Sequence, residues 1–158
     1  MKKRLICGML VLLVGCSKEP SIATLADPTP DQLMAAEEEG LSIELAEDQF
    51  KLSPATVEAI VRNESGEPFQ IGPFFHIEVL KNDEWYMITY SDAVFLENPS
   101  FRDGGYVLQD GEEVRQVFSV ESLDVTLPGG AYRLVKTFTR FGEQYHEVTV
   151  AAPFYVQK

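Results

Sequence analysis

Leu127-Pro128-Gly129-Gly130-Ala131-Tyr132-Arg133-Leu134-Val135-Lys136 is a corner running into a strand. Pro128 removes a backbone donor, and Gly129 and Gly130 allow a sharp change of direction, so no regular element crosses them. A chain needs such a break to pass from one sheet to another. Leu127, just before the break, would plug the end of an apolar core. Tyr132, just after it, would fold back so that its hydroxyl bonds to the backbone a few residues upstream, as in a tyrosine corner. Arg133 and Lys136 read as solvated strand cations balancing acidic neighbours. The stretch predicts two packed sheets.

The flanking sequence supports this. Residues 131–140 and 145–150 form a last hairpin around Phe141-Gly142-Glu143-Gln144, and Phe154-Tyr155-Val156 extend it beyond Pro153, which marks a bulge or an edge. Upstream, Leu41, Ile43 and Leu45 alternate with Ser42, Glu44 and Ala46, and Val57, Ala59 and Val61 form a second alternating run. Asp48 to Pro54 turns the chain between them, and Asn63-Glu64-Ser65-Gly66-Glu67-Pro68 is a strong turn signal. Phe75, Ile77 and Val79 lead into Asn82-Asp83, and Tyr86, Ile88 and Tyr90 leave it. A two-residue turn there pairs Lys81 with Glu84 and Val79 with Tyr86 and sets Trp85 beside Leu80; a longer turn would change the facing of Trp85. Residues 94–96, 106–108 and 114–120 are further strand candidates. The expected fold is an all-β antiparallel sandwich of two sheets over residues 41–158, with about seven to nine short strands. A domain of that length buries a core without disulfide staples.

The first 40 residues have a different character. Lys2, Lys3 and Arg4 precede an apolar run over 5–13, followed by Leu13-Val14-Gly15-Cys16. The run is too short to span a bilayer and has the charge order of an export signal. Leu-Val-Gly-Cys resembles the bacterial lipobox, which implies cleavage of a signal peptide over 1–15 and lipidation of Cys16. Residues 17–28 are small, polar and proline-punctuated, and read as a tether. Thr29-Pro30-Asp31-Gln32 has the form of a helix start, residues 33–39 favour helix, and Gly40 can end it. Glu37, Glu38 and Glu39 oppose the dipole of such a helix, so only a short one is expected. The organisation is thus signal peptide 1–15, lipidated Cys16 and tether 16–40, and sandwich 41–158.

Both cysteines, Cys7 and Cys16, lie at the signal, which leaves the sandwich no disulfide and no cysteine metal site. Without Lys2, Lys3 and Arg4 the chain carries 10 basic and 25 acidic residues, a formal charge of −15. That disfavours nucleic acid and electrostatic adhesion to anionic lipid, so membrane attachment falls to the acyl chains. His76 and His146 lack the spacing of a metal motif and read as surface residues. No Gly-x-Ser-x-Gly elbow occurs, and carboxylate pairs such as Glu112-Glu113 are too common here to suggest acid–base catalysis. Neither a cofactor nor an enzymatic reaction is expected.

Three stretches share a further pattern: Asn63 to Phe69; Trp85-Tyr86 after Lys81-Asn82-Asp83-Glu84; and Leu127 to Lys136. Together they resemble the bacterial immunoglobulin-like domain of many small Firmicutes lipoproteins. That family has an Asn-rich turn, a Gly-Lys-Trp-Tyr-type hairpin, and Leu-Pro-x-Gly-x-Tyr-Arg followed by an apolar residue, Val and Lys. Here Asp83-Glu84 stand in place of Gly-Lys, which bears on the turn type. The resemblance covers about 41–158, implies an all-β, immunoglobulin-like two-sheet antiparallel β-sandwich, and carries over no catalytic residue.

The functional expectation is a binding or interaction module on the outer face of the cytoplasmic membrane. Ser17 after the cysteine also permits outer-membrane sorting, whereas the resemblance points to a single-membrane envelope. A protein, peptide or wall polymer would dock on loops or a sheet edge. Trp85, Tyr86, Phe101 and Tyr106 form the candidate contact patch, since exposed aromatics concentrate binding energy. The alternative is a protease-inhibitor-like module inserting loop 97–105 into a cleft; an enzyme ranks third.

Overall fold

The computed structural model describes residues 22–91, 105–140 and 144–157. Cys16 and the signal, the strand candidate 94–96, Phe101 and all of loop 97–105 except Gly105 lie outside them. The described residues form eleven strands and no α-helix. They are β1 Glu37–Glu38, β2 Leu41–Leu45, β3 Gln49–Phe50, β4 Thr56–Asn63, β5 Phe69–Ile71, β6 His76–Lys81, β7 Glu84–Met87, β8 Tyr106–Leu108, β9 Glu113–Ser119, β10 Gly130–Arg140 and β11 His146–Val156.

One sheet runs β1-β2-β4-β9 and the other β3-β11-β10-β5-β8. β11 lines one side of β10 along its whole length. β6 and β5 share the other side, β6 against Tyr132 to Val135 and β5 at Thr139. β7 extends the sheet beyond β6. All pairings are antiparallel except β3 with β11, which is parallel. Alternation sends Ile43, Val57, Val61, Ile77, Phe118, Leu134, Phe138, Val150 and Phe154 into one core between the sheets. Phe75 meets Phe118 edge-on at 5.1 Å, and Tyr132 stacks on Phe154 at 5.5 Å. Such ring pairs add about 0.5–1.5 kcal/mol beyond the area they bury.

The β6–β7 hairpin has the two-residue turn, with Lys81 opposite Glu84 and Leu80 opposite Trp85. Asn82 and Asp83 both take positive φ, 51° and 65°, as a type I′ turn requires. Asp tolerates the left-handed region better than most residues, so the missing glycine does not change the turn. Pro153 pairs with Arg133 in an unbroken register, so there is no bulge. Ala151 and Tyr155 direct their N–H groups away from β10, to Ala35 and Asp48. The donor that Pro153 lacks would have pointed to that same side, between them.

The expected helix is absent, and residues 22–36 are not a free tether. Thr24 bridges to Ile88, Leu25 donates to Met87, and Thr29 donates to the Trp85 carbonyl at 2.8 Å. The segment then crosses the outer face of the larger sheet, where Ala35 accepts from Ala151 of β11 and Ala36 from Ile43 of the other sheet. This strap satisfies its backbone on sheet partners, which removes the incentive to coil. Gln32 does not cap a helix; its amide donates to the Thr29 carbonyl at 2.6 Å and to the Trp85 carbonyl at 3.1 Å. Glu37 and Glu38 become β1, and Glu39-Gly40 turn the chain into β2. A side chain at Gly40, where φ is 78°, would strike the Glu64 carbonyl at 2.6 Å.

Candidate functional site

Arg133 and Glu78 are directly opposed on β10 and β6 and face outward from the core, yet both are buried, at 3% and 1% exposure. The strap covers them. Arg133 Nε donates to Glu78 Oε2 at 2.7 Å, and a terminal guanidinium nitrogen lies 2.6 Å from the same oxygen. The guanidinium also donates to the Asp31 carbonyl at 2.5 Å and stacks over Trp85 at 4.7 Å. Thr29 Oγ1 donates to Glu78 Oε2, and His76 Nε2 lies 3.1 Å from Oε1. Burial would raise the Glu78 carboxyl, but the hydrogen bond from His76 and the bond and charge of Arg133 outweigh it, and the group sits below the usual carboxylate range. Arg133 is thus no solvated strand cation; it locks the strap to the sheet. Beside this cluster, Leu25, Pro28 and Met34 of the strap and His76, Glu78 and Met87 of the sheet line a cleft of about 500 Å³.

Lys136 departs from the sequence reading in another way. It follows Tyr132 and Leu134 on the inward face of β10 and is 1% exposed. Its side chain reaches the Gly72 and Phe74 carbonyls, the latter at 2.8 Å, and lies 5.6 Å from the centre of the Phe118 ring. Those carbonyls belong to the connection between β5 and β6, where the ladder along β10 is interrupted; the ammonium satisfies acceptors the sheet leaves over. Burial pushes Lys136 down to about 8.

The corner has the expected geometry. The Tyr132 hydroxyl donates to the Pro128 carbonyl at 2.6 Å, Tyr132 is buried, and burial pushes it up to about 12. Leu127 is buried, and its N–H is accepted by Ser53 Oγ.

The aromatic candidates do not gather into a patch among the described residues. Trp85 and Tyr86 are neighbours on one strand and so face opposite ways. Trp85 lies against Arg133 on the outer face, and Tyr86 packs against the core. Tyr106 is 44% exposed and sits on β8, beyond β5 rather than β7. Of the histidines, His76 is half-buried on Glu78, not a free surface residue, and His146 pairs with Glu39 at 2.8 Å. No group of three or more metal-ligating side chains converges among the described residues.

An open edge remains. β9 pairs with β4 on one side only. Asn63 donates to Glu112, which fixes the even-numbered residues of β9 as those bonded to β4. Glu113, Arg115 and Val117 therefore turn their N–H and C=O groups to the free side, and no other described residue pairs with them.

A profile of the bacterial Ig-like domain matches residues 37–155. The chain belongs to this family. No curated protein and no solved structure matches it. In this bacterial Ig-like domain the match begins at β1, so the strap lies upstream of it. Sequence reasoning missed Glu78, Arg133 and Lys136 as buried groups and His76 as the half-buried partner of Glu78. Their local pattern is that of half-exposed strand residues. What buries them is non-local: the strap above one face, and the β5–β6 break beside the other.

Proposed function

We propose that this bacterial Ig-like domain is a lipid-anchored, extracytoplasmic interaction module that takes a protein partner by strand addition at β9. The observation that carries the reading is the free edge itself: the outward backbone groups of Glu113, Arg115 and Val117 have no partner among the described residues. Strand addition draws affinity from main-chain hydrogen bonds and specificity from alternate side chains. Natural sheets usually blunt such edges with proline, bulges or a covering segment. β9 contains no proline, pairs with β4 in unbroken register, and exposes Val117 to 57%. The anchor rests on the basic start, the short apolar run and Cys16.

The test is affinity capture from envelope and secreted fractions, comparing the parent chain with Val117→Pro. Proline at 117 removes an outward N–H and leaves the β4 ladder intact. The expected result is a partner retained by the parent and lost with Val117→Pro. Equal retention by both would overturn the edge reading.

A further inference from the structure

We propose that the partner at the β9 edge is a second copy of this chain, paired antiparallel about a two-fold axis through Val114. The inference rests on the edge reading above and names its occupant.

Backbone geometry narrows the choice. The groups pointing outward belong to Glu113, Arg115 and Val117, so a two-fold pairing must set odd-numbered residues opposite odd-numbered ones. An axis through Arg115 puts the two Arg115 side chains face to face, which is unfavourable. An axis through Gln116 sets Arg115 against Val117 and Glu113 against Ser119, and neither charge gains a partner. An axis through Val114 sets Glu113 of each copy against Arg115 of the other. Of these three, only that register joins opposite charges, and it does so twice.

The charges already present on the outer face favour the same register. Arg62 bridges Glu44 at 2.6 Å and Glu113 at 2.9 Å, and Arg115 bridges Glu58 at 3.2 Å. Within one copy these are two separate short rows. Pairing through Val114 joins them into one alternating row: Glu44, Arg62 and Glu113 of one copy, then Arg115 and Glu58 of the other. The symmetry repeats the row in the opposite sense. Exposed ion pairs add little strength individually, so the row selects register more than affinity. The contact is isologous and consumes the edge it uses, so it closes as a dimer and cannot grow into a fibre.

Cross-linking of the full-length chain tests this. The sequence has no cysteine after Cys16, so the parent chain is the background control. Two Val114 residues on the axis would have Cα atoms about 4.5 Å apart, within the reach of a disulfide. Val114→Cys is expected to give a disulfide-linked dimer under mild oxidation. Val117→Cys is not, because the two 117 positions lie six residues apart along the paired strands. In the Val114→Cys background, Glu113→Arg or Arg115→Glu alone should cut the dimer about tenfold by placing like charges opposite one another. The double exchange Glu113→Arg with Arg115→Glu should restore it. Absence of the Val114→Cys dimer, or single exchanges without effect, would overturn the proposal. If that happens while Val117→Pro still abolishes capture of another protein, the edge reading stands and only self-pairing falls. If Val117→Pro is also without effect, both fall.

Discussion

Arg133 and Glu78 make a buried ion pair on the outer face of the larger sheet, directly opposed on β10 and β6 and closed over by the strap. A buried pair gains little over an apolar pair of the same shape, but removing one member strands the other charge. Arg133→Met should therefore cost about 3–5 kcal/mol, whereas Arg133→Met combined with Glu78→Met should cost much less. Urea denaturation of the two single variants and the double variant measures this. The folded Glu78 carboxyl sits below its unfolded value, so its contribution is present above the ordinary carboxylate range and is lost as pH falls through the folded value. The parent should thus lose stability in acid more steeply than the double variant.

Lys136 behaves oppositely. Its pKa falls from 10.5 in the unfolded chain to about 8 in the fold. Between those values the unfolded chain holds more protons, so this group makes stability rise with pH from about 8 to 10.5. Lys136→Met should lack that rise, and it should leave the Gly72 and Phe74 carbonyls without this donor at every pH. Thermal melts across the interval give the result; an unchanged slope would remove Lys136 as its source.

Tyr132→Phe keeps the ring that stacks on Phe154 and loses the bond to the Pro128 carbonyl. The expected loss is about 1–2 kcal/mol, read as a lower Tm. The hydroxyl's raised pKa also makes the parent lose stability as pH climbs from 10 to about 12. The Phe variant should lack that loss, and partner capture should be unaffected.

Cys16→Ala should move the protein from the membrane fraction to the soluble fraction on cell fractionation. Retention in the membrane would contradict lipid attachment at this residue.

Elements governed by local chemistry were legible in the sequence. Alternation at Leu41 to Leu45 and Val57 to Val61 marked two strands, Asn82-Asp83 marked the hairpin, and Pro128-Gly129-Gly130 before Tyr132 marked the corner. Residues 29–40 misled because helix propensity and a capping pattern are local, whereas the bonds from Thr29 to Trp85 and from Ala151 to Ala35 join distant parts of the chain. The same limit hid the polar cluster. Glu78 alternates with Ile77 and Val79 as a solvent-facing residue would, and only the strap turns its face into an interior. The open edge of β9 was equally invisible, because strand order is a property of the whole sheet.

The strap also decides how the fold meets force. A pull applied upstream of Ile22 enters the sandwich along residues 22–36. It loads the bonds at Met87, Ile88 and Trp85 before it reaches any strand of the core. Once those part, the Arg133 clamp carries the load. The strap is thus the first part of the fold to meet such a pull, and its parting would uncover the buried Arg133–Glu78 pair on the outer face.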